Sequence, residues 1–282
     1  PVRDWQRDRV GVEDRRELLH QGLRVEVLLD HLAADEQPGS TLIHSGMSDD
    51  RSQRSAWICA AVGICSALRT GDWLSTCRSG LAFALAKGTS AQALVAELLG
   101  RTEGVCHGRS GLTWLVDRTQ RMAAWPDARL TLLTSLGWAQ AHESLAVAVI
   151  PEGVEPALVR ACLRPAADRH LPLTVISIAT DLDRETSAPA AIRCADLESI
   201  TQAVQQATTR ARDHATATHL RLWLPAMPSM ATLGQTHVRQ GVLDPSDLAT
   251  LHRQSEHEAQ TALSTAHAEP APRVASAYQY VW

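Results

Sequence analysis

Histidine, cysteine and serine are the side chains that could ligate a metal or attack a carbonyl, and their spacing here argues against both. There are twelve histidines, but His214 and His219 stand five residues apart, as do His252 and His257. Neither pair shares a helix face, where ligands recur three or four residues apart, and no HExxH run occurs. Scattered surface histidines account for the pattern. Cys106 and His107, with Arg109 close by, carry the residue types of a nucleophile and its base. Adjacent residues rarely supply the proton-transfer geometry, and no third group is identifiable to orient the base. Cys106 is therefore read as structural. Ser110-Gly111 lies outside any GxSxG elbow, and neither GxGxxG nor a Walker loop appears. Trp57, Trp73, Trp114, Trp125 and Trp138 are read as core or interface anchors rather than a ligand cage.

The elements that would position any site are clearer. At 282 residues and 45% hydrophobic, the chain can bury a substantial core. Apolar positions Leu18, Leu19, Leu23, Val25, Leu28, Leu29 and Leu32 recur at helical spacing over Glu13 to Ala34. A polar loop, 47 to 55, feeds a buried helix over Ala56 to Leu68. Arg69 to Asp72 read as a turn, Trp73 to Cys77 as a strand, and Leu81 to Ala86 and Ala91 to Leu99 as two helices. Residues 101 to 129 are expected to be loop. Leu145 to Ile150 and Leu173 to Ile178 are continuous apolar runs of the kind found in buried parallel strands, with a helix over Glu155 to His170 between them. That βαβ unit predicts an α/β fold, a mainly parallel sheet with helices on both faces. A helix over Asp196 to Arg212, a strand over His219 to Leu224 and a long helix over Asp244 to Ala266 follow. The organisation expected is a helical arm over 1–45, one domain over 46–265 and a tail over 266–282. Tyr278, Tyr280 and Trp282 make the tail a candidate subunit contact.

Charge excludes some partners. The 27 basic and 31 acidic residues are well mixed and the net charge is −4, so no field steers the chain to nucleic acid or an anionic membrane. Six scattered cysteines without a CxxC pair suggest a reducing compartment. With no apolar stretch of membrane-spanning length, a soluble, cytoplasmic protein is expected. Asparagine is absent and Lys87 is the only lysine; no Asn carboxamide can act as ligand or oxyanion donor.

One run is specific. DWLSTCRSGLAFALAKGTSAQALVAELLGRTEGVCHGRSGLTWLVD, Asp72 to Asp117, is similar to a segment of the α subunits of thiamine-diphosphate-dependent 2-oxo acid dehydrogenases (pyruvate, branched-chain and acetoin). The family segment reads approximately D-x-V-x-x-x-Y-R-x-H-G, a small-residue helix, then A-E-L-x-G-R-x-x-G-x-x-x-G-R-G-G-S-M-H. Ala96, Glu97, Leu98, Gly100, Arg101, Gly104, Gly108, Arg109 and Gly111 fall in register. Upstream, Val62, Gly63, Ala67 and Leu68 match G-Q-E-A-x-x-V-G-x-x-x-A-L. Downstream, His170-Leu171-Pro172-Leu173 resembles K-L-P-V before a core strand. The resemblance extends, with gaps, over residues 13 to 265.

It implies a doubly wound thiamine-diphosphate-binding fold and an α2β2 assembly with a β-like partner. Thiamine diphosphate and magnesium would lie between the subunits, with the α side holding diphosphate and metal. Several positions depart from that pattern. The Y-R pair corresponds to Cys77 and Arg78, and H-G to Ser79-Gly80. The G-D-G turn corresponds to Pro151-Glu152-Gly153, and N-N-x-Y to Ala179-Thr180-Asp181-Leu182. Trp114 stands for the loop histidine and Ile58 for the glutamate of G-Q-E-A. Between Asp117 and Leu145 a shortened connection is expected near the cofactor. The cofactor-binding candidates are Arg78, Glu152 and Gly153, with no catalytic residue and no complete metal-ligand set. Two functions follow from the resemblance: an α-like subunit with an eroded site that stabilises or regulates its β-like partner, or a working half-site for decarboxylation or ketol cleavage of a 2-oxo acid or ketose, with transfer to a lipoyl or carrier domain.

Overall fold

The structure is a computed structural model that describes residues 12–35, 51–111, 114–142, 144–180 and 191–273. The tail's aromatic residues and Asp181 lie outside the described residues.

Two helices, α1 (Val12–Ala34) and α2 (Arg51–Ser66), precede the first strand, β1 (Trp73–Thr76). Helices α3 (Gly80–Lys87) and α4 (Ala91–Leu98) lead to a short hairpin, β2 (Val116–Asp117) and β3 (Met122–Ala124). Then come α5 (Ala128–Ala141), β4 (Ala146–Pro151), α6 (Pro156–Asp168), β5 (Leu173–Thr180) and β6 (Ile192–Arg193). The chain continues through α7 (Leu197–Asp213), β7 (Ala217–Leu224), α8 (Met230–Arg239) and α9 (Pro245–Ala268). No helix among the described residues is long and apolar enough to cross a membrane.

The strands form one sheet in the order β2-β3-β1-β4-β5-β7-β6. Every pairing is parallel except that of β2 with β3. Apolar side chains on β4 are divided by period-two alternation: Val147 and Val149 enter one core, Ala146, Ala148 and Ile150 the other. The first core holds α1, α2, α3, α4, α7 and α9; the second holds α5 and α6. Helices on both faces make this a doubly wound α/β protein. α1 belongs to the first core, with Leu19 and Leu23 fully buried, and Arg24 clamps Glu258 of α9 through two hydrogen bonds of 2.6 Å.

After β1 the chain crosses to the first core's face, and after β4, its neighbour in the sheet, it crosses to the second. The connections leaving the carboxyl ends of β1 and β4 therefore diverge to opposite faces, a topological switch point of the kind at which doubly wound sheets bind ligands.

Residues 101 to 129 are not all loop, as they contain β2, β3 and the first two residues of α5. The stretch from Asp117 to Leu145 is built from β3 and the 14-residue α5. Asp127 caps α5 by accepting from the backbone N–H groups of Arg129 and Leu130. α8 was likewise not foreseen; Ser229 caps it through Thr232 N–H.

Candidate functional site

The registered run from Ala96 to Gly111 folds around one carboxylate. Glu97, on the last turn of α4, is 1% exposed. Its Oε2 accepts from Cys106 N at 2.7 Å and Gly108 N at 2.9 Å. Its Oε1 accepts from Ser110 N at 2.7 Å, Ser110 Oγ at 2.9 Å and Gly111 N at 3.2 Å. A buried carboxylate is tolerated only when its lone pairs are satisfied in this way. The glycines follow from the wrap. A Cβ on Gly104 would lie 2.6 Å from Glu97 Cα, and one on Gly108 2.5 Å from Arg101 O. Gly108 also has φ +69°, in the left-handed region. With its oxygens occupied, Glu97 acts as a loop anchor rather than as a general base.

The cysteine-histidine reading of this loop is not supported by its geometry. Cys106 Sγ donates to Val116 O at 3.7 Å and accepts from Val116 N at 3.4 Å, while His107 Nδ1 faces Thr102 O at 3.2 Å. Trp114 is 50% exposed and meets Trp125 edge-on at 5.8 Å; Ile58 is fully buried in α2.

Arg78 and the Glu152-Gly153 turn sit at the carboxyl ends of neighbouring strands, since Thr76 of β1 is in register with Val149 of β4. Arg78 is exposed. Its backbone is held by Thr76 Oγ1, which donates to Arg78 O at 2.8 Å and accepts from Arg78 N at 3.3 Å. Next to it, Ser79 opens α3 in a left-handed conformation, φ 52°, and its buried hydroxyl has no hydrogen-bond partner among the described residues. The exposed guanidinium and the N-terminus of α3 can together receive an anion, whereas the Ser79 hydroxyl is closed off from solvent. Cys77 is half-buried, and burial pushes its thiol up to about 11, so it is not a nucleophile at neutral pH.

Glu152 is turned away from that switch point. Its carboxylate forms an ion pair with Arg221 of β7, on the far side of β5, with side-chain exposures of 13% and 21%. Its N–H donates to Ile178 O at 2.7 Å, extending the β4–β5 ladder, and Pro151 has no N–H to offer. Gly153, φ +87°, makes the turn, and a Cβ there would meet nothing within 4 Å.

Among the described residues, which do not include Asp181, the oxygens that the resemblance assigns to magnesium are not assembled. Glu152 is paired, Ala179 offers only a methyl group, and Thr180 Oγ1 accepts from Gln53 Nε2 at 3.4 Å. Among the described residues no three His, Cys, Asp or Glu side chains group so as to hold a metal ion. Among the described residues, those beside Arg78 suit an anion and those beside Glu152 do not make a divalent-cation site.

The pairing of Glu152 brings in Arg221 and Ser177, which the sequence did not single out, and His219, which it set aside as a scattered surface histidine. β7 alternates, with Leu220, Leu222 and Leu224 in the first core and His219 and Arg221 on the α6 side. Ser177 of β5 faces the same side, its Oγ 2.9 Å from His219 Nε2. Partial burial, and next the charge of Arg221, hold His219 below the usual imidazole range, with Glu152 opposing. These groups border a cavity of about 400 Å³ beneath the start of α6. The signal for them was the polar-apolar alternation in ATHLRLWL, which marks a strand face that the helices leave open.

Compared with known proteins, the chain matches no family model and no curated protein.

Proposed function

We propose that this chain is an α-like subunit of a 2-oxo acid dehydrogenase-type heteromer with an eroded diphosphate and magnesium site, and that it pairs with a β-like subunit in a stabilising or regulatory role. The observation that carries the reading is the Glu152–Arg221 ion pair. The carboxylate at the position the resemblance assigns to the metal is neutralised within the fold. A diphosphate carries several negative charges, and a divalent ion normally offsets most of them. Arg78 and the N-terminus of α3 would leave much of that charge unbalanced. The doubly wound sheet and the Glu97-centred loop agree with a retained scaffold.

The exposed Arg78 at the N-terminus of α3 favours the second reading, a half-site that still holds the diphosphate of thiamine diphosphate. When bound, that cofactor would supply a carbanion-stabilising thiazolium; this chain's part would be confined to orienting its diphosphate.

Calorimetry on the chain copurified with its co-encoded partner, titrated with thiamine diphosphate and magnesium, separates the two. The first reading expects an α2β2 mass and no detectable heat of binding. Micromolar binding that disappears in Arg78→Ala would overturn it in favour of the half-site.

A further inference from the structure

We infer that the cavity beneath α6 binds a small monocarboxylate with a short aliphatic tail. This site lies on the α6 face of the sheet and is independent of the subunit reading, because it needs neither a partner chain nor an intact diphosphate crevice.

The lining is rich in donors and poor in acceptors. Glu152 is the one carboxylate among the described residues that line it, and Arg221 already engages that group. Arg221 has further N–H groups beyond the one directed at Glu152. The Ser177–His219 pair, 2.9 Å apart, leaves one donor in either tautomer. If the hydroxyl donates to Nε2, Nδ1 carries a hydrogen; if Nε2 donates, the hydroxyl hydrogen is unspent. Arg160, exposed on α6, adds a second guanidinium at the rim. Two guanidiniums against one carboxylate leave a single net positive charge while His219 is neutral. That balance suits one negative charge.

The remaining wall is apolar. Pro156, Val159 and Leu163 of α6, Val154 of the preceding turn and Pro151 at the end of β4 supply it. A fully hydrated dianion such as phosphate would be desolvated against these side chains without compensation. A carboxylate with a few methyl or methylene groups places its head among the donors and its tail on this wall. At about 400 Å³ the cavity falls at the small end of the range for ligand pockets, roughly 300–1,000 Å³.

The test is ligand-observed NMR and calorimetry on the full chain with isobutyrate, its neutral analogue isobutyramide, and orthophosphate. Isobutyrate is expected to bind, and isobutyramide about tenfold more weakly or worse. Arg160→Glu, an exposed substitution, is expected to weaken isobutyrate about tenfold, and Leu163→Trp, which fills the cavity, to abolish binding. Circular dichroism and a thermal melt confirm that both variants fold. Five results would overturn the inference: no isobutyrate binding at millimolar concentrations, equal binding of acid and amide, tighter binding of orthophosphate, undiminished binding in Arg160→Glu, or binding that survives in a folded Leu163→Trp. If Leu163→Trp fails to fold, Arg160→Glu and the amide comparison still decide.

Discussion

Removing the Glu97 carboxylate should be among the most damaging single changes in this chain. In Glu97→Ala the backbone N–H groups of Cys106, Gly108, Ser110 and Gly111 lose their acceptor together. A buried donor left unsatisfied costs about 1–3 kcal/mol. The loop carrying these donors is only half-buried, so water can reach part of it, and the full sum will not be realised. A net loss of about 3–5 kcal/mol is expected, comparable to breaking a buried charge network. For a domain whose whole stability is roughly 5–15 kcal/mol, that is a large share. Glu97→Gln keeps the shape and one acceptor oxygen but turns an NH2 group toward N–H donors, and should cost about half as much. Equilibrium urea unfolding followed by tryptophan fluorescence measures both, and limited trypsinolysis at Arg101 and Arg109 reports whether the loop opens. An alanine variant within about 0.5 kcal/mol of the parent, the ordinary range for surface changes, with unchanged trypsin sensitivity, would refute the anchoring role.

Gly63→Ala should cost about 1–3 kcal/mol, since the new methyl would lie 2.7 Å from Ile200 Cγ2 where α2 crosses α7; a urea melt with no shift would contradict that packing. Burial is the leading cause that lowers His20, His219 and His237 below 6.5. The unfolded chain then takes up protons first, so stability should fall as pH drops below about 6.5 and level off once the folded histidines are protonated too. Urea midpoints across that window check the sign, and a rise in stability on acidification there would contradict it. Burial pushes the thiols of Cys162 and Cys194 up to about 11 and that of Cys65 up to about 12. Iodoacetamide at mildly alkaline pH should therefore leave these three unmodified in the native protein and alkylate them in urea, read by peptide mass mapping.

The amino-acid sequence determined the elements whose periodicity is strong. Leu18 to Leu32 made α1 legible, the runs LAVAVI and LTVISI made β4 and β5 legible, and the helix between them implied a parallel sheet, because a right-handed crossover permits little else. Elements held by their neighbours rather than by their own pattern were not legible. β2 and β3 are two and three residues long, too short to show alternation, and α5 carries its signal mainly in the Asp127 cap. The registered run Ala96 to Gly111 could be read as a motif, but its physical cause, one carboxylate collecting the N–H groups of a loop up to 14 residues away, required the fold. The same holds at the carboxyl edge. The family resemblance picked out Arg78 and Glu152, just after two strand runs; only the strand order, with β7 beside β5, brought Arg221 within reach of Glu152. Side-chain charge is local information, whereas the partner that neutralises it is set by which strands the tertiary structure makes adjacent.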